Sequence, residues 1–187
     1  MWSILNFGKY ADKMSLPEVV LHDPDWFFKA IESNRFEKRG FAAEARDLNF
    51  KARNIKIPRP ATEHWCVYYD FDHRGKFCGF TLAQVPSAEE AYPRHLDLSV
   101  VHRQERRDKS GNKLLLRDFK TNYFCSLMKL TRKQCEEFFE NPANFCEPMK
   151  RESHVTQVGQ TFAEERTWNG DLFEDETILE QKYHASD

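Results

Sequence analysis

At 187 residues with a formal net charge of -2, the chain has the length of one ordinary domain, or of one domain with a small appendage, and no overall charge bias toward a polyanion. Hydrophobic residues make up 40% and aromatic residues 14%, with 16 Phe and 4 Trp, a content that excludes a disordered chain. No run of about 18 apolar residues occurs and MWSILNFGKY lacks a basic leader with a long apolar core, so neither a membrane span nor a signal peptide is expected, and a cytoplasmic location is.

In chain order, residues 16 to 34 hold two apolar clusters divided by His22-Asp23-Pro24-Asp25. Asp23 as N-cap and Pro24 in the first turn predict a short helix over 16–21 and a second over 24–33. Phe41, Ala45, Leu48 and Ala52 recur at helical spacing and predict a third, which Ile55 to Pro60 end as an extended connector. Beyond it, HWCVYYDF (64–71) and FCGFTLAQ (77–84) flank Asp72-His73-Arg74-Gly75-Lys76, a hairpin with Gly where a tight loop needs positive φ. A second hairpin is expected from a strand at 95–103, a turn at 108–112 and a returning strand at 113–119, with a turn of helix at 87–91 in the crossing. Thr131 and Gln134 have capping-box spacing before a helix that Asn141-Pro142 stops. From Cys146 onward the chain is polar, with Phe162, Trp168, Leu172 and Phe173 as sparse anchors and a short helix near 175–183.

The fold class expected is α+β, with a helical N-terminal module (1–58), an antiparallel β-sheet with a covering helix (59–145) and an acidic C-terminal segment (146–187). Cys66, Cys78, Cys125, Cys135 and Cys146 form no CxxC pair and read as reduced thiols, and the seven histidines show no metal-binding spacing.

Charge is distributed unevenly. Residues 101–133 carry ten Lys or Arg against three acids, residues 35–59 carry eight against three, and residues 164–187 carry two against eight. Arg103, Arg106, Arg107, Lys109, Lys113, Arg117 and Lys120, interleaved with Phe119, Tyr123 and Phe124, supply cations for a phosphate backbone and ring faces for bases. The same residues also suit a solvated hairpin tip with its aromatics turned inward. The acidic end reads either as a solvating tail or as a contact for a protein partner. For catalysis, Asp70, Asp72 and His73 form the tightest cluster, in which two carboxylates would share a strand face and hold Mg²⁺ for phosphodiester cleavage; Asp in a turn serves no such purpose. No nucleophile elbow or dinucleotide glycine fingerprint is present.

Phe7-Gly8-Lys9-Tyr10, followed by Leu16 to Val19 and by Asp23-Pro24 with Trp26 and Phe27, resembles the small C-terminal module of exodeoxyribonuclease X and related bacterial exonucleases. The resemblance covers residues 4–38, about a fifth of the chain, and departs from the family pattern at Ala11-Asp12, where Lys-Gly stands in the family, and by one extra residue before Leu16. It implies a nucleic-acid setting with Lys9 as a contact. No catalytic residue carries over, because that chemistry belongs to a separate acidic domain. The functional expectation is a non-catalytic nucleic-acid-binding or accessory protein for single-stranded or duplex nucleic acid, without a cofactor or membrane partner. The alternatives are a Mg²⁺-dependent nuclease at Asp70, Asp72 and His73, and a protein-interaction or inhibitor module using charged faces.

Overall fold

The computed structural model describes residues 2–60, 62–88, 90–91, 93–104 and 109–146, with the side chain of residue 109 outside that description. At the N-terminus the chain closes a loop on Leu5, whose amide donates to Met14 O at 3.0 Å and whose carbonyl accepts the Asp12 amide at 2.7 Å. Within that loop Gly8–Tyr10 form one 3-10 turn. Gly8 has φ +72°, and a Cβ there would lie 2.7 Å from Trp26 Cζ2, so the turn requires a residue without a side chain.

Helices α1 (Leu16–Val20), α2 (Pro24–Glu32) and α3 (Ala42–Arg53) follow the expected order and nearly the expected bounds. Their starts are chemically explicit. The Ser15 amide donates to Glu18 Oε2 at 3.0 Å ahead of α1, and Asp23 Oδ1 accepts the Trp26 amide at 3.2 Å to cap α2. Phe27, Phe28 and Ala30 of α2 and Ala45, Leu48 and Ala52 of α3 turn into the core.

The connector after α3 supplies β1 (Ile55–Lys56), which pairs antiparallel with β4 (His95–Leu96). The hairpin lies where its loop residues put it: β2 (His64–Phe71) pairs antiparallel with β3 (Phe77–Val85), with an irregularity between Asp70 and Phe71. The expected second hairpin is not formed. Only His95 and Leu96 of its first strand pair, and residues 109–119 of its turn and returning strand are instead part of a helix, α4 (Lys109–Phe124). Gly111, Leu115 and Phe119 explain the difference: they recur every four residues and are all buried, a helical period. Gly111 is not a turn glycine but a point of close approach, since a Cβ there would lie 3.1 Å from Val101 Cγ1. The described residues of the crossing, 87, 88, 90 and 91, are bend, turn and coil rather than helix, and the Glu90 amide donates to Ser87 Oγ at 3.4 Å. Thr131 caps α5 (Arg132–Glu140) by accepting the Gln134 amide at 3.3 Å.

The described residues belong to one compact unit, Met1–Met149. Its core is continuous across the connector, joining Phe27, Leu48 and Ile55 to Val67, Leu96, Leu115, Phe119 and Phe139. His102 is 1% exposed and ties the loop after β4 to α2: its Nδ1 is 2.8 Å from Asp25 Oδ1 and its Nε2 is 2.9 Å from Glu32 Oε1. Each outer edge of the β2–β3 ribbon is also engaged. The Phe80 amide donates to Asp118 Oδ2 of α4 at 3.2 Å, and the Val67 amide donates to Pro93 O at 3.0 Å.

Candidate nucleic-acid interface

With its buried stripe facing the core and β3, α4 leaves Lys113, Arg117 and Thr121 exposed at four-residue spacing, one ridge along the helix. Lys120 lies on the flank of that ridge, and its Nζ donates to Leu127 O at 3.3 Å, which binds the following loop to the helix. From residue 109 to residue 133 the chain carries seven cations (Lys109, Lys113, Arg117, Lys120, Lys129, Arg132 and Lys133) and one carboxylate, Asp118. Three of these are neutralised locally. Arg117 Nη2 is 2.7 Å from Asp118 Oδ1, Arg132 Nε is 2.8 Å from Glu18 Oε2, and Lys133 Nζ is 3.6 Å from Glu137 Oε1. Lys113 and Lys129 have no ion pair with a described residue.

Two clefts flank the helix. The polar one, about 390 Å³, has Asp70 and Thr81 of the hairpin on one wall, Arg117, Thr121 and Asn122 of α4 on the other, and Leu127 at its lip. The apolar one, about 230 Å³, is lined by Met14, Leu21, Leu116 and Leu130, with Lys120, Lys129 and Glu18 bordering the same space, the last of them paired with Arg132. Burial pushes the Cys135 thiol in this cleft up to about 12, so it stays protonated and inert at neutral pH.

The residues singled out from sequence end up in several places. Lys113, Arg117 and Lys120 come together on α4, and Asp70 faces Arg117 across the polar cleft. Arg106 and Arg107 lie outside the described residues, as do the side chain of Lys109 and the acidic stretch 164–187. Arg103 points back to Asp97, to which its Nη2 donates, and so holds its own loop closed. Tyr123 turns inward, with its ring stacked on Phe119 at 4.7 Å and edge-on to Phe138, so neither a phosphate nor a base meets it from outside. Burial raises the Tyr123 phenol far above the usual tyrosine range.

Lys9 is also engaged. Its Nζ donates to Asp23 Oδ2 at 2.5 Å, and Tyr10 Oη donates to the same oxygen at 2.7 Å. The Asp23 hydrogen bond is the main cause that raises the Lys9 ammonium above the ordinary lysine value. Lys9 thus braces the cap of α2, while about half of its side chain still faces solvent.

Asp72 closes the hairpin loop, where its Oδ1 accepts the amides of Arg74 and Lys76, both at 2.8 Å. The Lys76 amide is the largest influence that holds the carboxyl below its ordinary range. Asp70 and Asp72 are separated by the irregularity in β2, and His73 Nε2 accepts from Arg74 Nε at 3.2 Å. Among the described residues no group of three His, Cys, Asp or Glu side chains is placed to hold a metal ion. Among the same residues no helix is long and apolar enough to cross a membrane.

The residues missed by sequence reasoning are Thr121 on the ridge, Asn122 and Leu127 in the polar cleft, and the exposed Met128. A short segment, Cys125-Ser126-Leu127-Met128-Lys129, between two helices was the available signal for the last two. No protein-family model, curated protein or solved structure matches the chain.

Proposed function

We propose that this is a non-catalytic nucleic-acid-binding or accessory protein that engages phosphates through the α4 ridge and the loop after it. The observation that carries the reading is the run 109–133, in which seven cations accompany a single carboxylate, together with the meeting of Lys120 and Lys129 at one cleft whose carboxylate, Glu18, is already paired with Arg132. Such a surface suits a polyanion despite the net charge of -2, because the field at a cleft is set by local rather than total charge. The resemblance of residues 4–38 to the exonuclease module supports the same setting. Asp72 is engaged in its own turn, which favours binding over metal-assisted cleavage.

The test is fluorescence anisotropy of labelled single-stranded and duplex DNA and RNA at low and near-physiological salt, with Mg²⁺ present and the products resolved on a gel. Salt-sensitive binding without cleavage supports the reading. Absence of binding at low salt overturns it, and cleavage lost in Asp72→Asn replaces it with the nuclease.

A further inference from the structure

Leu127 is 69% exposed and Met128 76%, the highest values among the large hydrophobic side chains described, and they are neighbours. They form the tip of the loop between α4 and α5. The loop backbone is pinned rather than loose: the Ser126 amide donates to Lys120 O at 3.3 Å, the Met128 amide to Ser126 Oγ at 3.1 Å, and Lys120 Nζ to Leu127 O at 3.3 Å. Between residues 119 and 135 there are four cations and no carboxylate. With Arg132 held by Glu18 and Lys133 beside Glu137, the cations left near the tip are Lys120 and Lys129, while Asp118, which shares the polar cleft with Leu127 and Asp70, is paired with Arg117.

An apolar pair held outward beside two lysines that lack an ion pair among the described residues fits a partner that is anionic outside and apolar within. Stacked base pairs between phosphates meet that description. A fixed backbone also suits a wedge, because unstacking a base step costs a few kcal/mol, which a mobile tip would recover poorly.

We infer that Leu127 and Met128 are a wedge that enters a base step of duplex DNA, with Lys113, Lys120 and Lys129 on the flanking phosphates. This deepens, and rests on, the nucleic-acid reading above. Insertion unstacks the step and kinks the duplex at the loop.

The experiment uses the full chain with duplexes that carry 2-aminopurine at a central TA step and a donor-acceptor pair at the ends. Binding is read in parallel by anisotropy, and flotation is measured with vesicles of phosphatidylserine and phosphatidylcholine. At saturation the wild type raises 2-aminopurine emission at least about twofold and shortens the end-to-end distance, as an unstacked, kinked step requires. The variant Leu127→Ser with Met128→Ser keeps its Kd within about tenfold but loses both signals, since the phosphate contacts remain. Saturated binding with neither signal overturns the wedge and leaves the binding function standing. Duplex binding that is absent at low salt overturns both. Vesicle binding that depends on Leu127 and Met128, with DNA signals unaffected by their replacement, assigns the tip to a lipid surface instead.

Discussion

Asp118 Oδ2 accepts the Phe80 amide at 3.2 Å and lies 2.8 Å from the place a Cβ on Gly79 would occupy. One carboxylate from α4 thus seals the edge of β3 and also depends on a missing side chain beside it. Gly79→Ala should force this carboxylate away and cost about 1–3 kcal/mol in urea unfolding. Asp118→Ala should cost about 1–2 kcal/mol by orphaning the amide. The double substitution should fall short of the sum, because both changes break the same bond. Additive costs would show that the carboxylate relaxes without losing the edge.

Asp23 accepts from Lys9, Tyr10 and the Trp26 amide at once. Its burial pushes the carboxyl up, but these donors together leave it lowered overall. A lowered carboxyl favours folding above the unfolded value near about 4 and loses that contribution as pH falls through the folded value. Asp23→Asn should therefore flatten the acid limb of stability against pH. Asp23→Ala should also remove the helix cap, at about 1–2 kcal/mol near neutral pH.

His102 sits between two carboxylates of α2, one at each ring nitrogen. His102→Ala should destabilise the protein by about 2–4 kcal/mol, combining a lost hydrogen bond to Asp25 with a cavity against Phe28. Chemical denaturation with tryptophan fluorescence measures it. A loss below about 0.5 kcal/mol, the level of an ordinary surface substitution, would mean that the loop after β4 packs without this tie.

For nucleic acid, log Kd should rise linearly with log salt. Replacing both Lys113 and Lys129 by Ala should reduce that slope by roughly 2 on duplex DNA if each meets one phosphate. Lys9→Ala should change the slope by less than half as much as that double replacement, because Asp23 already partners the Lys9 ammonium. The three anisotropy titrations decide the order.

Thiol chemistry offers a check on the fold. Cys78 and Cys125 are exposed, Cys66 and Cys135 buried, and Cys146 is intermediate with its thiol raised by burial. A colourimetric thiol reagent near pH 8 should label two cysteines quickly in native protein, Cys146 more slowly, and all five after unfolding. Fast labelling of Cys135 would contradict the packing of α5 on α1.

Local chemistry made much of this fold readable. Asp23-Pro24 and Thr131 with Gln134 announce helix starts because the capping residues act on amides two or three positions away. Asp72 and Gly75 announce the hairpin for the same reason, since the Asp72 carboxylate binds amides of its own loop. Residues 109–119 misled because Ser110-Gly111-Asn112 imitates a turn and Leu114-Leu115-Leu116 imitates a buried strand. Val101 and Phe77, brought against the helix by the fold, show why Gly111 is there. The same limit applies to the site. The cations of α4 were visible one by one, but the inward turn of Tyr123, the Lys9–Asp23 pair and the cleft that joins Asp70 to Arg117 arise from tertiary packing.

The occupied edges of the β2–β3 ribbon limit how another chain can approach. A peptide that sought to extend the ribbon by strand addition would meet α4 beside Phe80 and the segment at Pro93 beside Val67. Recognition by main-chain pairing is blocked at both places, so selectivity at the ribbon is left to the side chains that surround it.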